Sequence, residues 1–282
     1  MSRKNFREML ENQWSQGNFA CVGLDSDFSK IPETAYKSGN ERDVSISNTI
    51  VAFNREIVEA TKDLVCAYKP NVAFYEAYGI EGIGALHRTI ADIHAIAPNV
   101  PVILDAKRAD IGNTNLGYLE SAFKVLLADA ITVHPYLGSE ALQPFLDCAE
   151  KGIIVLCRTS NPGAGEFQDL IVDGEPFYRI VARHVAEQWN KNNNCALVVG
   201  ATYPGELREI RELVGDMPIL IPGIGAQGGN VEKTVNAGKD SRGKGMIINS
   251  SRGIIFASKG EDFAEAARRE TIKLRDLINQ HT

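Results

Sequence analysis

The chain has 282 residues, 30 of them basic and 36 acidic, for a formal net charge of −6. That length can bury a large core without disulfide or metal staples. The mild acidity argues against nucleic-acid and membrane-surface partners, both polyanions that require a basic face.

The N-terminal segment MSRKNFREMLENQWSQG is charged and helix-like, with none of the apolar stretch of a signal peptide. No apolar run approaches the ~18–20 residues that a membrane span needs. Short apolar runs then recur: Phe19–Leu24, Leu64–Tyr68, Val100–Leu104, Ala130–Val133, Ile153–Cys157, Ala196–Val199, Ile219–Ile221 and Met246–Ile248. They are β-branched and apolar at consecutive positions, the signature of strands covered on both faces. Between them lie helical patterns at Ser47–Asp63, Gly79–Ala97, Asn113–Leu127, Ser139–Ala149, Glu175–Asn192 and Pro204–Val214, with a last one at Glu261–Asn279. The alternation implies parallel strands joined by right-handed crossovers. Eight strands in about 250 residues fit a (β/α)8 barrel. A doubly wound open sheet is the alternative, because periodicity does not count closure. No linker, low-complexity tract or repeat divides the chain, so one domain spanning 1–282, with an N-terminal helix, is expected.

Cys21, Cys66, Cys148, Cys157 and Cys195 are odd in number and form no CxxC pair. Neither a zinc site nor a disulfide framework follows; buried free thiols in a reducing cytoplasm do. Two connections, Ser26–Ser45 and Arg158–Gly174, are long and polar. Long loops of this kind are usually functional or disordered. Both follow predicted strands, which in a barrel puts them on the active-site face.

Polar residues collect where the strands end: Asp25, Lys69 with Asn71, Asp105 with Lys107 and Asp110, His134, and Arg158-Thr159-Ser160. Asp105 and Lys107, two apart in an extended chain, project together. With Lys69 and Asp110 they allow an alternating array of lysines and aspartates, which keeps the lysines protonated. A protonated lysine held there can deliver a proton to a developing carbanion. The plain alternative is a surface stretch of solvated salt bridges, with Asp110 as an N-cap. Lys69 tips the balance, since it ends an apolar strand and lone lysines are seldom buried without a task.

A second cluster, Pro222-Gly-Ile-Gly225-Ala-Gln227-Gly228-Gly229, follows the seventh strand and opens a helix. Glycines let backbone N–H groups approach an anion at a helix start. The eighth strand ends in Asn249-Ser-Ser-Arg252-Gly253, and Arg252 can fork onto phosphate oxygens. These two loops are the usual phosphate site of the barrel; turn formation alone is the competing explanation for the glycines. Asp25 and Asp27 read either as metal ligands or, for Asp25, as an acceptor for sugar hydroxyls. His87 and His94 lack ligand spacing, and Trp14 and Trp189 read as packing residues.

The segment Asp105-x-Lys107-x-x-Asp110-Ile-x-x-Thr114 resembles the signature of orotidine 5′-phosphate decarboxylases. VGLDSD, YKPN, RTSNPGAGEFQ, PGIGAQGG and NSSRGI extend the likeness along nearly the whole chain. DAKRADIGNT and the long insertion after the first strand are similar to the longer bacterial subgroup. The resemblance implies decarboxylation of orotidine 5′-monophosphate to uridine 5′-monophosphate and CO2, with no cofactor or metal. It implies Lys107 as proton donor to C6 and Asp105 beside the departing carboxylate, with Lys69 holding Asp105 and the ribose. Asp25 is implied as a ribose ligand and Ser160 as a pyrimidine contact. Pro222, Gly225, Gln227, Gly228 and Arg252 are implied around the phosphate. Asp110 and Thr114 are implied to reach the site of a second subunit, making a homodimer the active unit. A sugar-phosphate lyase of the same barrel superfamily and a barrel that binds nucleotide without chemistry are the alternatives. The first would want an acidic metal ligand near the end of the second strand, where Lys69 stands.

Overall fold

A computed structural model describes residues 5–36, 45–224 and 229–282. The eight apolar runs form parallel strands β1 (Ala20–Leu24), β2 (Val65–Pro70), β3 (Ile103–Arg108), β4 (Ala130–Val133), β5 (Gly152–Arg158), β6 (Cys195–Val199), β7 (Ile219–Ile221) and β8 (Met246–Ser250). Their lateral order is β2-β1-β8-β7-β6-β5-β4-β3. The two ends of that order meet through the bridges Tyr68–Val102 and Asn71–Asp105, so the sheet curls into a barrel. The open-sheet alternative is thereby excluded. Nearly every strand residue is buried, because side chains fill the barrel inside and helices cover it outside.

Helix α1 (Phe6–Trp14) precedes the barrel, and α2 (Ile46–Thr61), α3 (Gly79–Ile96), α4 (Gly112–Leu119), α5 (Gly138–Leu146), α6 (Phe177–Arg183), α7 (Pro204–Val214) and α8 (Val231–Gly238) connect successive strands. Helix α9 (Phe263–Asn279) packs on α2 and β1. Two of the predicted helices change winding. Helices α4 and α6 continue as π-helical turns over Glu120–Val125 and His184–Trp189. A change from i+4 to i+5 bonding leaves apolar spacing too little altered to be read from sequence.

Helix α1 lies across the N-terminal ends of the strands. The Phe6 amide donates to the Glu150 carbonyl, Gln13 Nε2 to that of Asn99, and Trp14 Nε1 to that of Met246. Each acceptor starts or just precedes a strand. Phe6, Leu10 and Trp14 are buried there, and a large apolar side chain contributes roughly 1.5–3 kcal/mol on leaving water. Gly152 makes room for this packing, since a Cβ at that position would sit 2.3 Å from the Phe6 ring.

Candidate active site

The opposite, C-terminal end of the barrel holds a cavity of about 470 Å³. Seven strands each lend it an inward-facing residue: Lys69, Asp105, Thr132, Leu156, Val198, Leu220 and Asn249. Asp25 joins them just beyond β1. The floor is therefore divided, with charged and polar groups on β2–β4 and β8 and apolar ones on β5–β7.

Asp105 is the hub of the polar half. Its Oδ2 accepts a hydrogen bond from Lys69 Nζ at 3.0 Å, and its Oδ1 accepts one from Lys107 Nζ at 2.6 Å. Thr132 Oγ1 donates to the same Oδ1 at 2.9 Å. Lys69 Nζ also lies 4.0 Å from Asp25 Oδ1. Lys69 and Asp105 are buried, whereas Lys107 is half-exposed at the cavity. Burial opposes the charge on Asp105, but Lys69 and Lys107 outweigh it and hold the carboxyl well below the usual carboxylate range. Burial likewise opposes the Lys69 ammonium, and Asp105 and Asp25 outweigh it in turn, so that Lys69 stays charged. Beneath them the Cys21 thiol is pushed up to about 12 by burial, which leaves it inert.

Asp105 and Lys107 do project together, although not by the simple alternation of a pleated strand. The β3–β4 register shifts between Leu104 and Arg108, and Lys107 has φ +47°. A non-glycine residue in that region costs of order 1–3 kcal/mol and is held only by its surroundings. Here the Thr132 hydroxyl accepts from the Ala106 and Lys107 amides at 3.0 and 2.9 Å.

The β5 loop covers one side of the cavity through Thr159, Ser160, Asn161 and Gln168. Gln168 Oε1 accepts from the Thr159 amide at 2.8 Å, and its Nε2 donates to Thr159 Oγ1 at 2.9 Å. Arg158 is buried, donates to Asp169 and stacks 4.0 Å over the Tyr203 ring. Ser160 rests against Gly200, where an added Cβ would stand 2.6 Å from the Ser160 Cβ. Across the cavity lie Pro222, Gly223 and Arg252. Gly223, at φ +104°, and Gly229 pin the base of the β7 loop through the Gly229 N–H to Gly223 carbonyl bond. Gly225, Gln227 and Gly228 lie outside the described residues.

Two expected site residues stand apart. Neither Asp110 nor Thr114 lines the cavity. Asp110 Oδ1 accepts from the Ile111 amide, and its own N–H donates to Asn115 Oδ1. Thr114 lines a second, mainly apolar hollow of about 580 Å³ with Val72, Ile83, Leu86, Tyr118 and Val125. His134 is absent from the cavity lining, and Asp27 is engaged with Lys30 and Ser29. Sequence reasoning missed Thr132 and assigned no role to Gln168 or Asn249, which it carried only within longer segments. The signal for Thr132 was a lone hydroxyl in the apolar strand Ala-Ile-Thr-Val. Asn249 Oδ1 and Asp25 Oδ1 are buried acceptors without a hydrogen-bond donor among the described residues, suited to receive hydroxyl groups of a ligand.

Residues 21–269 match the model of the orotidine 5′-phosphate decarboxylase / HUMPS family. The chain belongs to that family. Two curated relatives make its decarboxylase branch plain. The orotidine 5′-phosphate decarboxylase of Cellvibrio japonicus is 50% identical over 276 residues, covering 98% of each chain. That of Ralstonia pickettii is 49% identical with the same coverage. Among solved structures, the OMP decarboxylase of Leishmania donovani superposes with a TM-score of 0.81 at 36% identity, over 97% of this chain and 98% of the other. Members of this branch are carboxy-lyases of pyrimidine biosynthesis. Among the described residues no helix is long and apolar enough to cross a membrane.

Proposed function

We propose that this chain, as a single barrel domain, decarboxylates orotidine 5′-monophosphate to uridine 5′-monophosphate and CO2 in the cytoplasm. The observation that carries the reading is the Lys69–Asp105–Lys107 chain of contacts at the bottom of a cavity fit for one small anion. The C6–carboxylate bond breaks, its electron pair stays on C6, and CO2 departs. Lys107 then gives a proton from Nζ to C6 and is reprotonated from solvent. An ammonium fixed beside C6 stabilises the carbanion more than it stabilises the substrate, so the interaction lowers the barrier. Lys69 and Asp105 orient that ammonium, and Asp105 lies beside the departing carboxylate. Asp25 and Lys69 take the ribose hydroxyls and Ser160 the pyrimidine edge. Arg252 holds the phosphate with Pro222 and with Gly225, Gln227 and Gly228 of the β7 loop. Phosphate binding, remote from the reacting bond, supplies energy to order loops over the ring.

The active unit in this reading is a homodimer in which Asp110 and Thr114 of each copy complete the site of the other. The apolar hollow beside Thr114 and the exposed Ile111 and Leu116, which flank its lining residues in sequence, support such an interface. The test is turnover of orotidine 5′-monophosphate by purified protein in the presence of EDTA, followed as loss of absorbance. Absence of turnover under those conditions rules the reading out.

A further inference from the structure

Thr132 sits in the middle of the apolar strand β4 and is buried. A threonine hydroxyl has one proton to donate and two lone pairs to accept with. All three are used here, and all on the same short segment of β3. The two lone pairs receive the Ala106 and Lys107 amides, and the proton goes to Asp105 Oδ1. These contacts fall where the β3–β4 register slips between Leu104 and Arg108, so one side-chain hydroxyl replaces main-chain partners that the ladder no longer offers. The same slip carries the left-handed Lys107. In that conformation the Lys107 side chain turns back onto Asp105. Among the described residues, Thr132 also supplies the one uncharged side-chain donor to a carboxylate otherwise gripped by two lysines.

We propose that Thr132 is a positioning residue for the decarboxylation: its hydroxyl locks the Asp105–Lys107 bulge and thereby aims the Lys107 ammonium at the reacting carbon. The proposal rests on the decarboxylase reading above. Thr132 need not touch substrate. Valine has nearly the same shape, so Thr132→Val removes the hydroxyl while filling the volume, and Thr132→Ser restores the hydroxyl without the methyl group.

The experiment measures kcat for orotidine 5′-monophosphate, scaled to the fraction of protein that binds uridine 5′-monophosphate, for wild type and both variants. Thr132→Val is expected to lose roughly 10- to 100-fold in kcat, the range of a small misplacement of a reacting group, with product affinity unchanged. Thr132→Ser is expected to recover most of the loss. Wild-type kcat in Thr132→Val, or a Thr132→Ser as slow as Thr132→Val, overturns the proposal. So does a parallel loss of kcat and product binding, which marks a purely structural role. If Thr132→Val does not fold, Thr132→Ala is read by the same criteria, and failure of both to fold makes the hydroxyl a folding determinant and ends the proposal. Wild-type protein that binds the product but turns over no substrate refutes the decarboxylase reading itself.

Discussion

Lys107 reaches back over a single intervening residue to place its Nζ 2.6 Å from Asp105 Oδ1, with its own backbone in the left-handed region. The contact joins a buried carboxylate to a half-exposed ammonium. The half-exposed charge is thus tied to the buried one, an arrangement that suits the proton-donor role proposed for Lys107.

Lys107→Ala removes the ammonium from the cavity but leaves the Asp105–Lys69 pair and the Pro222 and Arg252 side of the cavity. Turnover is expected to fall by at least ~10², the usual contribution of a positioned proton donor. Binding of uridine 5′-monophosphate, measured by titration calorimetry, is expected to persist. Undiminished turnover would take the proton-donor role away from Lys107.

Asp105→Asn tests the electrostatics of the hub. The Asp105 carboxyl is held low in the folded chain, because Lys69 and Lys107 outweigh the cost of burial. As pH falls through the ordinary value of ~3.9, the unfolded chain takes up a proton that the folded chain refuses, so acid favours unfolding. The contribution of Asp105 is complete above that pH and declines toward the lowered folded value. Lys69 is the mirror case: its raised value gives a contribution complete below ~10.4 and lost as pH rises through the folded value. Asp105→Asn should therefore flatten the acid limb of stability. At neutral pH it should cost about 3–5 kcal/mol, since Lys69 keeps a buried charge with its nearest partner gone. Urea unfolding across the pH range checks both; an acid limb as steep as that of the wild type contradicts this account.

Gly200→Ala addresses the proposed pyrimidine contact of Ser160. The new methyl group would stand 2.6 Å from the Ser160 Cβ and 2.8 Å from its amide nitrogen, closer than atoms tolerate. The loop must yield, at a cost of about 1–3 kcal/mol. A lowered melting temperature and a raised KM are expected together. A variant with wild-type KM would show that Ser160 does not set substrate affinity.

Mixing separately inactive Asp110→Ala and Lys107→Ala proteins tests the shared site. A mixed dimer holds one site with both residues intact, so exchange of subunits should restore up to about half the activity of each dimer that forms, if the partner's charge is needed as such arrays require. No recovery, with exchange demonstrated by differently tagged subunits, means that each chain works with its own residues.

The eight strands and the residues at their ends were legible in the sequence. Short runs of consecutive β-branched apolar positions between helical patterns suit strands covered on both faces, and Lys69 at the end of such a run is costly unless paired. Motif likeness pointed at Lys107, Asp105 and Arg252 for the same reason: their chemistry is written in residue type and order. Closure of the barrel was not legible, since it depends on Tyr68 and Asn71 meeting Val102 and Asp105, pairs far apart in sequence. Nor was Thr132, a common strand residue that becomes distinctive only when a register slip turns two amides toward its hydroxyl. The sequence by itself determined which charges the protein carries and at which strand ends. Only the tertiary structure decided which of them share one carboxylate and which face elsewhere, because contacts between strands are set by register and twist, not by order along the chain.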